Sequence, residues 1–225
     1  MKVTLISDTH GKHKRWSDLP GGDILIHSGD FMNGGYSKLE AISFFDWFDN
    51  IKNYKKKIFI AGNHDRILES DKNWSNDELS KYKTINYLED SNIIIDDSDI
   101  HIWGSPWQPE FCNWAFNLPK GGEELIKKWS LIPERTDILI THGPPFGTLD
   151  TVLGKVEKLG CELLSNRVSE VVPKIHVFGH IHSGRGYYFN GQTHFFNASV
   201  LDENYYAAWG AWNFDWDPDT NIIKF

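Results

Sequence analysis

Cysteine is scarce in this chain: Cys112 and Cys161 are the whole supply. Two thiols exclude a disulfide scaffold and a cysteine-type zinc site, and they suit a reducing compartment where both stay inert. Long apolar runs are missing too. No stretch approaches the ~18 residues that a membrane span needs, so no membrane partner is expected. Met1-Lys2 leads straight into Val3-Thr4-Leu5-Ile6, which is too short for a secretory signal and has no cleavage site. The expected location is cytoplasmic. Positive charge is the third deficit, with 23 Lys and Arg against 31 Asp and Glu and a net charge of −8. The one basic cluster, Lys55-Lys56-Lys57, precedes an apolar run and reads as the solvated start of a strand. A nucleic-acid polymer calls for a basic face and is a poor partner for such a chain. An acidic balance suits a binder of cations.

What the chain does hold is enough apolar material for one large core. Its 225 residues are 40% hydrophobic, consistent with a single domain over residues 1–225. Five short apolar runs stand out: Val3–Ile6, Ile24–Ile26, Ile58–Ala61, Ile138–Ile140 and Ile175–Phe178. Continuous apolar character over so few residues predicts strands buried on both faces. Helical spacing links Leu39, Ile42, Phe45 and Phe48, and again Val156, Leu159, Leu163 and Leu164. Ile93–Trp103 reads as a hairpin turning at Asp96–Asp99. Gly186–Phe189, Thr193–Asn197 and Tyr205–Trp212 read as consecutive antiparallel strands, the first two joined by Asn190-Gly191. Alternating strands and amphipathic helices predict an α/β layered fold. Two sheets are expected, one from the buried runs before position 180 and one from the antiparallel strands after 184.

Each apolar run ends in polar residues able to hold a metal. They are Ser7-Asp8-Thr9-His10, His27-Ser28-Gly29-Asp30, Gly62-Asn63-His64-Asp65, Thr141-His142-Gly143 and Gly179-His180-Ile181-His182. In an α/β sheet the carboxyl ends of the strands meet at one rim, so five separate segments would deliver their side chains to one place. Carboxylate and imidazole donors together suit Mn, Fe, Zn or Ni, whereas Ca and Mg prefer oxygen alone. A two-residue spacing, as in Asp8-x-His10 and His180-x-His182, would put each pair on one side of an extended chain. Gly29, Gly62 and Gly179 permit tight turns at the strand exits.

These motifs, in this order, resemble the calcineurin-like metallophosphoesterase superfamily: D-x-H, G-D, G-N-H-D/E, a lone His, then G-H-x-H. Ser7–His10, Trp103–Trp107, Thr141–Pro145 and Asn197–Ser199 bring the chain nearest to the MPPED-type phosphodiesterases. The resemblance implies a four-layer α/β/β/α sandwich of two mixed β-sheets flanked by helices. It implies two divalent metal ions, manganese first, with iron, zinc or nickel as substitutes. Asp8, His10 and His182 would hold one ion; Asn63, His142 and His180 would hold the other; Asp30 would bridge them. His64 would be the catalytic group, protonating or stabilising the leaving oxygen, and Asp65 would orient His64 or fix its loop. The implied reaction is hydrolysis of a small, nucleotide-like phosphodiester or phosphomonoester by a water held between the ions. Phosphoprotein phosphatases of the superfamily carry an Asp three residues after G-D, and here that position is Asn33, which favours a phosphodiesterase.

Other readings compete. A scaffold that kept the fold and lost catalysis would have lost ligands, yet all seven ligand positions and His64 are filled. A nuclease of the same superfamily would want the basic face that is missing here. His27 and His176 lie inside apolar runs and read as core or supporting residues. His13, Arg66 and His194 are candidates for substrate contact. Trp103, Trp107 and Trp114 are core aromatics or walls for a planar group.

Overall fold

The computed structural model describes residues 1–95, 98–154 and 156–225. In chain order its first half runs β1 (Lys2–Ile6), β2 (Gly22–His27), α1 (Lys38–Asn50), β3 (Tyr54–Phe59), α2 (Arg66–Ser70), α3 (Lys72–Leu79), β4 (Ile85–Tyr87), β5 (Ser91–Ile95) and β6 (Ile100–Ser105). There follow β7 (Gln108–Pro109), β8 (Asn117–Leu118), α4 (Glu123–Ser130), β9 (Ile138–Thr141), α5 (Glu162–Val171), β10 (Ile175–Phe178), β11 (Gly186–Phe189), β12 (His194–Asn197), β13 (Trp212–Asp217) and β14 (Ile222–Lys224). Two six-stranded sheets result, in the orders β14-β13-β1-β2-β3-β4 and β11-β12-β10-β9-β6-β5. Each is mixed, the first carrying its antiparallel strands β13 and β14 on one edge and the second one on each edge, β11 and β5. The remaining strands are parallel: β1 to β4 in the first sheet, and β6, β9, β10 and β12 in the second.

The layers follow from side-chain alternation. Val3, Leu5, Ile24, Ile26, Ile58, Ile102, Ile138, Ile140, Ile175, Val177 and Phe196 fill the space between the sheets. The opposite face of the first sheet, with Ile6, Leu25 and Phe59, packs under Phe44, Phe45 and Phe48 of α1. The opposite face of the second, with Leu139, Phe178 and Phe195, packs under Leu125 and Trp129 of α4 and Leu164 and Val168 of α5. Two mixed sheets flanked by helices is the expected four-layer arrangement. Among the described residues no helix is long and apolar enough to cross a membrane.

Three expectations need correction. The buried runs do not form one sheet: β1, β2 and β3 belong to the first, β9 and β10 to the second, and the late strands are shared out likewise. Tyr205–Trp212 is not a strand. Tyr205 has a left-handed backbone (φ 62°), and the third late strand starts at Trp212, pairing Phe214 with Val3 in the first sheet. Its signal was the alternation of buried Phe214 and Trp216 with exposed Asn213 and Asp215. Nor do Val156 and Leu159 extend a helix. Both are exposed, and α5 begins only at Glu162, capped by Cys161. The helix over Leu39–Phe48 and the hairpin after Ile93, with Ile95 opposite Ile100, are as expected. Of that hairpin's turn, Asp96 and Asp97 lie outside the described residues.

The aromatic layer under α1 yields a stability test. Phe44 is fully buried, with its ring stacked on Phe31 at 4.1 Å and on Phe48 at 5.3 Å. Phe44→Ala is expected to cost about 3–5 kcal/mol, the usual penalty for an emptied aromatic site, read as a lower urea midpoint at unchanged slope. A cost below about 1 kcal/mol would show that the layer collapses into the gap.

Candidate metal centre

All eight residues singled out by the motifs meet at the carboxyl ends of β1, β2, β3, β9 and β10. They do not meet on extended chain. Asp8 (φ 55°), His10 (φ 39°), Asp30 (φ 56°) and His180 (φ 67°) all take the left-handed region, which non-glycine residues adopt where the surroundings over-determine them. β1, β2 and β10 therefore turn sharply as they deliver these side chains. Gly29 also turns through positive φ (102°). Gly179 serves differently, because a Cβ there would lie 2.0 Å from Asp8 Oδ2. It is a glycine for want of room.

Donor atoms collect in two sets. Asp8, His10 and His182 offer ligand atoms within 4.8 Å of one another, and so do Asp30, His142 and His180. Asn63 completes the second set: its Oδ1 is 3.0 Å from His142 Nε2 and 2.8 Å from His180 Nδ1. Asp30 lies between the sets, with Oδ2 at 3.3 Å from His142 Nε2 and 3.7 Å from His10 Nε2. His10, Asp30 and His64 form a further overlapping group.

Backbone carbonyls fix the imidazoles. Nδ1 of His10, His142 and His182 lies 3.2 Å from Met32 O, 3.0 Å from Ser28 O and 2.8 Å from Asp202 O, respectively. A carbonyl can only accept, so each Nδ1 carries the proton and each Nε2 is aimed inward. The donor set fits divalent cations on this ground. In neutral rings the Nε2 lone pairs of His10 and His182, 3.3 Å apart, would face each other with nothing between them.

The charges respond accordingly. Burial presses the His142 imidazolium down, but the Asp30 carboxylate beside it prevails and holds its pKa at about 9. Burial is likewise outweighed at His182, where Asp8 holds the value at about 9. His10 and His180, also buried, fall to about 4 and about 3. Asp30 stays far below the ordinary carboxylate range: the neighbouring His142 overcomes the burial that would raise it.

The surrounding residues have structural tasks that the motifs only partly disclosed. Asp65 fixes the loops and does not touch His64. Its carboxylate accepts from the backbone N–H of Asp30 (2.9 Å), Gly62 (2.7 Å) and Met32 (2.9 Å). His64 is oriented by the backbone carbonyl of Asn33, 2.6 Å from its Nδ1, and by stacking on Trp114 at 4.1 Å. The Arg66 guanidinium lies over the Trp114 ring at 4.4 Å and over that of Tyr36 at 5.0 Å. His27 and His176 are the supporting residues expected, 3.1 Å from the Thr9 hydroxyl and 2.9 Å from that of Thr141. His13 packs against Phe44 and Trp47, and His194 bonds Tyr187 and Asn221, so both are committed to packing. Trp103 is core. Sequence reasoning missed Ser199, which donates to Asp8 Oδ2 at 2.7 Å, and Tyr205, whose ring stands edge-on to His10. Ser199 lies in the quoted Asn197–Ser199 segment, so a signal existed for it.

Beside the donor sets opens a cleft of about 500 Å³. Phe111, Val152, Leu159 and Tyr205 give it apolar walls, and among the described residues its charged lining outside the histidines is Lys120, Glu110 and Glu203.

Known proteins share this architecture. The family model for calcineurin-like phosphoesterases matches residues 1–184. Metallophosphoesterase domain-containing protein 1 of Homo sapiens is 43% identical over 225 residues, covering 91% of this chain and 67% of the human protein. A UPF0046 protein of Caenorhabditis elegans is 35% identical over 230 residues, covering 96% of this chain and 80% of its own. Among solved structures, TT1561 of Thermus thermophilus superposes with a TM-score of 0.67 at 13% identity, covering 99% of this chain and 96% of that one. A likeness at that identity speaks to the fold alone.

The raised values at His142 and His182 make metal uptake a proton-releasing event. With both pKa values near 9, the metal-free rings are charged at pH 7 and must lose their protons to coordinate. Titration with Mn at pH 7 in buffers of different ionisation enthalpy is expected to show release approaching two protons. Apparent affinity should climb from pH 7 to 9, by about tenfold per unit for each proton displaced. A heat independent of buffer would mean that the two rings are already neutral.

Proposed function

The chain belongs to the calcineurin-like phosphoesterase family, and from that premise we propose that it is a cytoplasmic two-metal hydrolase acting on a small, nucleotide-like phosphodiester. The observation that carries the two-metal reading is the position of Asp30 Oδ2, between His142 on one side and His10 on the other. One carboxylate oxygen facing two donor sets is what a bridging ligand requires. Asp8, His10 and His182 would hold one ion, and Asn63, His142 and His180 the other, in a mixed donor set suited to manganese, iron, zinc or nickel. When bound, the ions supply Lewis acidity toward a phosphoryl oxygen and a nucleophile from water at neutral pH.

The chain's own residues supply the rest. Asn63 contributes a neutral oxygen, which leaves the centre net positive toward an anion. His64, its Nδ1 committed to Asn33 O and one face covered by Trp114, presents Nε2 for the leaving oxygen. A diester fits the cleft better than a monoester. A dianionic phosphate would call for several cations, whereas among the described residues the lining sets Lys120 against Glu110 and Glu203. Its apolar walls suit the second ester group. Asn33 supports the same preference over a phosphoprotein, since its side chain carries no charge and only its backbone carbonyl meets His64.

Two sets of variants test this reading. Asp30→Asn is expected to lose more activity than Asp8→Asn, because Asp30 serves both donor sets; elemental analysis should find close to two Mn per wild-type chain. At most one ion under excess Mn would sink the two-metal model. His64→Ala should keep its metals and lose about 10²–10⁴-fold on a diester with an alkoxide leaving group, the span of general acid catalysis. It should lose less on a nitrophenyl diester, whose leaving oxygen needs no proton. Loss of metal in this variant would move His64 into the ligand group that it shares with His10 and Asp30.

A further inference from the structure

Tyr205 reaches the metal centre from a segment that carries no ligand and lies beyond the family-matched residues 1–184. Its left-handed backbone (φ 62°) is costly for an aromatic residue, and such strain persists where the surroundings over-determine it. Here the turn is closed from several directions. Tyr205 N–H donates to Asp202 O at 2.9 Å, Asp202 N–H to Tyr206 O at 2.9 Å, and Tyr206 N–H to Asp202 Oδ1 at 2.8 Å. Lys12 Nζ caps the Tyr205 carbonyl. The Asp202 carbonyl that receives Tyr205 also receives His182 Nδ1 at 2.8 Å, so the turn is tied to a ligand position.

This strained turn sets the ring over the first donor set. It is edge-on to His10 at 4.8 Å and to His182 at 5.3 Å, and its centre is 6.4 Å from that of His64. The ring lines the cleft beside His180 and His182 and remains 39% exposed. Its hydroxyl has no protein partner among the described residues. A wall-forming aromatic needs no hydroxyl, and phenylalanine would supply the same edges. The two ring centres are 6.4 Å apart, so a phosphoryl group lying beside both rings can meet His64 at its leaving oxygen and the phenol at a second oxygen, each through a hydrogen bond of about 2.7–2.8 Å.

We infer that Tyr205 is a further catalytic residue, whose phenolic O–H donates a hydrogen bond to a non-bridging oxygen of the substrate phosphoryl group. The inference rests on the phosphoesterase reading above. The phenol keeps its proton throughout; it stabilises charge on the phosphoryl oxygen and breaks no bond.

Tyr205→Phe is the deciding variant, because it keeps the ring edges and removes only the donor. Wild type, Tyr205→Phe, Tyr205→Ala and His64→Ala are compared with Mn on a nitrophenyl diester, an alkoxide diester and a phosphorothioate diester, with metal content measured for each. Tyr205→Phe should retain its metals and lose kcat by roughly 10- to 100-fold, the range for a hydrogen bond to a charged group, with KM little moved. The loss should be equal on the nitrophenyl and alkoxide esters, unlike that of His64→Ala, and smaller on the phosphorothioate, where sulfur is the poorer acceptor. A Tyr205→Phe enzyme with wild-type kcat would overturn the proposal, and impaired Tyr205→Ala beside it would assign the ring to packing. Loss of metal in Tyr205→Phe would also overturn it. A wild-type protein inactive on all three esters would sink the phosphoesterase reading itself, and this proposal with it.

Discussion

Three carboxylates, Asp8, Asp30 and Asp65, sit in the interior at 0%, 2% and 0% exposure, and the rest of the centre is arranged around satisfying them. A buried carboxylate without partners is prohibitively unfavourable. Among the described residues no lysine or arginine pairs with any of the three; the neighbouring ionisable partners are imidazoles. Backbone N–H groups fill the gap. His180 N–H donates to Asp8, His64 N–H to Asp30, and three further backbone groups to Asp65. All of these bonds except that of Gly62, which lies within the loop of Asp65, link one strand-end loop to another. The loops hold their strained conformations because the carboxylates need those donors, and the carboxylates tolerate burial because the loops supply them.

That mutual dependence explains why the site was so legible in the sequence. A ligand at a strand end can be read from composition alone, since an apolar run followed at once by Asp, His or Asn has few other uses. All five such segments converge. What could not be read was the backbone path. A two-residue spacing suggested extended chain, yet His180 and His182 face different donor sets because His180 is left-handed and His182 opens a short 3-10 turn. Similarly, the resemblance suggested two tasks for Asp65, and only the hydrogen bonds assign it to the loops. A carbonyl such as Asn33 O, which orients His64, belongs to the backbone and carries no residue-type signature at all.

The fold was legible to a similar depth. Buried runs were found as strands, but their division between two sheets was not, because a strand covered on both faces reads the same in either sheet. The alternation in Trp212–Asp217 was masked by the preceding Tyr205, Tyr206 and Trp209, whose aromatic composition imitates a strand. Tyr205 is aromatic for another reason, since its ring stands against His10 at the candidate centre. Val156 and Leu159 misled in the same manner, being apolar and exposed on a loop beside the cleft.

The segment between β12 and β13 joins these two accounts. It leaves the second sheet at Asn197, bridges to Ser7 through Ser199, passes Val200 N–H to the Ser7 carbonyl, and enters the first sheet at Trp212. On the way it gives Asp8 the Ser199 hydroxyl, His182 the Asp202 carbonyl and the cleft the Tyr205 ring. The centre lies on the seam between the sheets, with Asp8 and Asp30 following strands of the first and His142, His180 and His182 following strands of the second. A seam of this kind is only as rigid as the chain that crosses it. The crossing segment contributes no metal donor of its own, yet it ties both sheets to the first donor set. It therefore bears on the candidate centre in two ways, by carrying the Tyr205 ring into the cleft and by tying Asp8 to His182, neither of which the motifs at the strand ends specify.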